Sequence, residues 1–64
     1  MKRRELLRHL EAHGCQLKRE GGEHSLYHDL ATGQMQAVPR HTEVADILCR
    51  KICRRLSVPD PKRS

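Results

Sequence analysis

Apolar residues in this chain fall into short stretches whose spacing changes along its length. Leu6, Leu7 and Leu10 recur at helical intervals between Lys2 and His13, and Gly14 stands where such a helix would stop. The pattern then shifts to period two: Cys15-Gln16-Leu17-Lys18 alternates as a half-buried strand does. Gly21-Gly22 reads as a hairpin turn, since both positions tolerate positive φ. His24 to His28 is the returning strand, and Asp29 to Gly33 a loop. Gln34 to Val38 makes a third strand, which Pro39 closes because proline cannot donate to a ladder. Helical period returns near Thr42 or Glu43 and runs to Leu56, with Ala45, Leu48, Cys49, Ile52, Cys53 and Leu56 on one stripe. Thr42 is placed to cap this helix, and Glu43 suits its positive end. Arg50, Lys51, Arg54 and Arg55 fall on the opposite arc.

The order α-β-β-β-α defines an α+β fold. Three short antiparallel strands cannot wrap around two helices, so both helices cover one sheet face and leave the other open. That arrangement is of the double-stranded-RNA-binding-domain type. Residues 1–58 form a single domain, and 59–64 a frayed C-terminal tail. A chain of 64 residues buries too little for a large cofactor, and none is expected. A regular second strand would put His24, Leu26 and His28 on one face. With Leu26 in the core, His24 must then sit at the strand end or beside a bulge. Alternation would turn the Glu23 side chain away from it.

Charge narrows the partner. Thirteen Lys and Arg oppose eight Asp and Glu, for a net charge of +5 and a pI near 9.6. The partner should be a polyanion, met by a folded basic surface, because the cations are spread along the chain. The single aromatic, Tyr27, excludes a base-stacking platform, so phosphate and sugar contacts dominate. No apolar run approaches the roughly twenty residues of a membrane span. No apolar signal core follows Met1-Lys2-Arg3-Arg4, which indicates a cytoplasmic protein. Cys15, Cys49 and Cys53 cannot all pair, and read as small buried hydrophobes in a reducing compartment. The i,i+4 pairs His9/His13 and Cys49/Cys53 would form a tetrahedral zinc set if two packed helices faced them together. Core thiols and surface histidines are the preferred reading, with no metal.

Chemistry centres on Gly21-Gly22-Glu23-His24-Ser25-Leu26-Tyr27, where a turn delivers a histidine among many cations. This segment, with Met1-Lys2-Arg3-Arg4-Glu5-Leu6-Leu7-Arg8, Gly14-Cys15, Val38-Pro39-Arg40-His41 and Arg50-Lys51-Ile52, resembles the HicA family, the small toxins of HicA–HicB toxin–antitoxin pairs. The resemblance covers nearly the whole chain in the expected order. It implies an mRNA interferase acting independently of the ribosome, with a HicB-type antitoxin covering its active surface. The family's catalytic histidine maps to His24.

Metal-free RNA cleavage needs a base for the 2′-hydroxyl proton and an acid for the leaving 5′-oxygen. Histidine serves either role, with an unperturbed pKa of about 6.5. Fixed cations or backbone N–H donors must meet the charge developing on phosphorus. Gly21 and Gly22 are candidates for bare amides, and Arg40 or Lys18 for charge. His28, His41 and Tyr27 are candidate complements to His24. Lys2, Arg4, Lys18, Gly21, Gly22, Ser25, Tyr27, Arg40 and His41 form the candidate RNA-contact set. Two other functions compete: a non-catalytic RNA-binding module of the same fold, and a small DNA-binding regulator using the basic second helix. No helix-turn-helix spacing precedes that helix, and Val44 and Ile47 interrupt its basic arc.

Overall fold

The computed structural model describes residues 1–61 and contains α1 (Arg3–Ala12), β1 (Cys15–Glu20), β2 (His24–Asp29), β3 (Met35–Pro39) and α2 (Asp46–Arg55). The strands form one antiparallel sheet in the order β1-β2-β3. α1 packs against β1 and α2 against β3, so both helices lie on the same face as expected. Between them sit Leu6, Leu10, Cys15, Tyr27, Val38, Val44, Cys49, Ile52, Cys53, Leu56 and Val58, all buried. The three cysteines are free thiols within this core. Burial pushes Cys53 up to about 11, which keeps it protonated and unreactive.

β2 faces the opposite way from the expected register. Ser25, Tyr27 and Asp29 point inward, while Leu26 is half-buried on the uncovered face with His24 and His28. Tyr27 offers the larger apolar body, and the two inward polar side chains are both satisfied. Ser25 Oγ donates to the Glu20 carboxylate and accepts from Arg3 Nη2 at 2.7 Å. Asp29 Oδ1 accepts the Ala31 N–H at 2.8 Å, closing the loop toward Gly33. In β1 a bulge between Leu17 and Arg19 leaves Lys18 unpaired in the register. Beyond it Arg19 lies opposite Leu26, and Glu20 opposite Ser25.

α2 starts later than the sequence suggests. Neither Thr42 nor Glu43 caps it; Ala45 occupies that position without a side-chain hydrogen bond. The preceding segment runs against the chain's first residues instead. Arg3 N–H donates to the Thr42 carbonyl (2.8 Å), Val44 N–H donates to the Met1 carbonyl (2.9 Å), and Lys2 bridges to Glu43. Burying Val44 in this pairing competes successfully with an extra helical turn. Asp46 takes the acidic first-turn role that Glu43 was expected to fill. Part of the tail is also held: His9 Nε2 lies 2.8 Å from the Pro59 carbonyl, and Arg54 pairs with Asp60 at 3.7 Å. Residues 62–64, the rest of the tail expected to fray, lie outside the described residues.

Candidate functional site

His24 is the first residue of β2, exposed on the uncovered side of the sheet, and pairs across with Pro39. The turn before it is built on Gly21. Its N–H donates to the His24 carbonyl at 2.8 Å, and its own carbonyl accepts from Arg40 Nη1 at 2.9 Å. Positive φ is not the reason for these glycines, since among glycines only Gly14 and Gly33 adopt it. Close approach is the reason at Gly21, where a Cβ would stand 2.8 Å from the His24 carbonyl oxygen. At Gly22 a Cβ would meet nothing within 4 Å. Because the Gly21 N–H is used inside the turn, any backbone donor to phosphate falls to Gly22.

Two open hollows flank His24. One is lined by Glu23, His24, Arg40 and His41; the other combines His24 and His41 with Gln36, Ala37, Pro39, Glu43, Val44, Ala45 and Leu48. The fold therefore brings His24, His41 and Arg40, three of the candidates, to one hollow. Glu23 joins them, contrary to the expectation that alternation turns it away; it precedes the strand, so alternation does not govern it. Arg40 also lies 3.8 Å from Glu20, a partly exposed pair of small energetic value.

The remaining candidates are placed less favourably. Ser25 and Tyr27 are buried on the helix-covered face, which removes them from direct contact with a ligand at the open side. Burial also raises the Tyr27 phenol above its ordinary range, leaving it a poor proton-transfer partner. His28 shares the face of His24, but four residues along the strand set it about 13 Å away. Lys18 is exposed at the bulge and lines neither hollow. Lys2 and Arg4 line a third hollow with Arg3, Arg40 and Thr42.

Arg3 was not among the candidates, yet it ties the site together. Its Nε donates to the Pro39 carbonyl at 2.8 Å, directly across the sheet from His24, and its Nη2 reaches Ser25. The spacing Arg3, Leu6, Leu10 puts it on the apolar stripe of α1, and this signal marks it as the inward-facing member of a basic run. Glu20 completes the network from the covered face.

These features define a small basic α+β domain of the double-stranded-RNA-binding type, with a histidine-bearing rim on its open side. A family model described as the HicA toxin of bacterial toxin–antitoxin matches residues 3–58. The chain belongs to the HicA toxin family. No curated protein and no solved structure matches it significantly. No helix among the described residues is long and apolar enough to cross a membrane.

Proposed function

We propose that this protein is a cytoplasmic endoribonuclease toxin, an mRNA interferase cleaving mRNA with His24 and restrained by a HicB-type antitoxin. The observation that carries this reading is the convergence of His24, His41 and Arg40 in one hollow. In the reaction, one imidazole removes the 2′-hydroxyl proton as that oxygen attacks phosphorus. A second acid gives a proton to the departing 5′-oxygen, leaving a 2′,3′-cyclic phosphate. His24 and His41 are the pair for these two roles, in either order. Arg40, steadied by the Gly21 carbonyl, is the cation for the charge developing on phosphorus. The uncovered sheet face, with half-exposed Met35 beside His28 and Leu26, suits coverage by an antitoxin.

The test is cleavage of a defined RNA in EDTA by wild type and by His24→Ala, after matched folding checks. Wild type should cleave, and the variant should lose roughly 100-fold or more, the range for removing a general acid or base. No cleavage by either protein despite tight RNA binding would leave the non-catalytic RNA-binding module as the function, and equal cleavage by both would take the catalytic role away from His24.

A further inference from the structure

We propose that the hollow lined by Lys2, Arg3, Arg4, Arg40 and Thr42 is a second phosphate subsite, holding a non-reacting phosphate of the RNA next to the one presented to His24. The proposal rests on the nuclease reading for its substrate and extends it to where the strand runs. Four of the five lining residues are cationic, none is a carboxylate, and the fifth carries a hydroxyl. An anion is the ligand such a wall suits. The hollow is built rather than incidental, because Arg3 is fixed on two sides by Pro39 and Ser25. The Arg3 N–H to Thr42 carbonyl bond fixes the two segments of the wall to each other.

Arg40 connects this hollow to the reactive one. It lines both, while its Nη1 is anchored on the Gly21 carbonyl of the turn that presents His24. A strand with one phosphate against His24 and Arg40 would therefore find its next phosphate facing Arg40, Lys2 and Arg4. Lys2 and Arg4 are exposed, which suits contacts to a solvated backbone. A protein partner would be expected to bury an apolar or aromatic anchor, and no such side chain lines this hollow.

The experiment uses an RNA made uncleavable by 2′-O-methyl riboses, with one neutral methylphosphonate moved along its backbone. Binding is read by fluorescence anisotropy at fixed salt. For the wild type, neutralising one phosphate flanking the reactive position should weaken binding about threefold to tenfold. The double variant Lys2→Gln/Arg4→Gln, checked for native circular dichroism, should lose that position's penalty and keep the others. Its salt dependence should also fall, by up to about one unit of log K against log salt for each phosphate contact removed. An undiminished penalty in the double variant overturns the subsite. So does wild-type RNA binding combined with a selective loss of affinity for an acidic protein. If the penalty disappears as described while unmodified RNA is never cleaved, the subsite stands and the nuclease reading falls.

Discussion

A glycine hydrogen and a β-carbon differ little in volume, yet at Gly21 the difference decides whether the turn closes. Gly21→Ala forces the 2.8 Å approach to the His24 carbonyl apart and strains the bond from the Gly21 N–H. We expect a loss of about 1–3 kcal/mol in urea unfolding, with reduced cleavage, whereas Gly22→Ala should stay within about 0.5 kcal/mol. Glu23 is the other residue whose position matters more than its type. Glu23 lines the hollow proposed to take a phosphate, so Glu23→Gln should tighten RNA binding about threefold to tenfold at low salt and less at high salt. Binding isotherms at two ionic strengths check this; a loss of cleavage instead would give Glu23 a catalytic part. His24, Arg40 and His41 were candidates from their chemistry and, for His24, from the family resemblance, and the fold sets all three around one hollow. The inward turn of Ser25 and Tyr27 was not. Leu26 carries the stronger apolar signal, and only the partners of Ser25, supplied by Arg3 and Glu20, make the other register affordable.

At the scale of elements, α2 ends in a motif normally closed by glycine. Val58 N–H donates to the Cys53 carbonyl at 2.8 Å and Ser57 N–H to the Arg54 carbonyl at 3.1 Å, with Ser57 at φ 59. An L-residue is strained there, although Ser57 Oγ gains a bond to Gln34 Oε1 at 2.6 Å. Ser57→Gly should therefore stabilise by about 0.5–1 kcal/mol, seen as a higher midpoint in urea at unchanged slope. The same helix shows why element ends resist sequence reading. Its stripe from Cys49 to Leu56 was visible in the spacing, and those residues are buried. Its start was not visible, because the residues that keep 42–45 extended lie at the other end of the chain.

For the whole molecule, the amino group of Met1 acts as a clasp. It donates to the Val44 carbonyl at 2.9 Å and lies 3.1 Å from Asp46 and 3.3 Å from Glu43. The hydrogen bond to Asp46 raises its pKa above the ordinary 8.0; desolvation opposes this next most strongly, and Glu43 adds to the rise. A raised folded value means this contribution is complete below about pH 8 and lost as pH climbs through the folded value. The buried thiols act in the same direction, since Cys53 shifts from 9.0 to about 11. Thermal midpoints should hold below pH 8 and fall above it. Acetylating Met1 should lower the neutral midpoint and leave only the part of the alkaline fall owed to the buried thiols and the Tyr27 phenol; identical profiles would remove the clasp.

The overall architecture was readable because two helical stripes flank three alternating segments, whereas this closure between distant segments leaves no local trace. Arg3 reaches Pro39 across 36 residues, and Met1 reaches Asp46 across 45. During synthesis, then, the histidine emerges on a bare hairpin well before the Arg40–His41 wall and the partners of Lys2 and Arg4 exist. A chain cut short before Pro39 carries His24 but not the rest of the proposed site. Whatever harm the finished protein can do is withheld until most of the chain has been made.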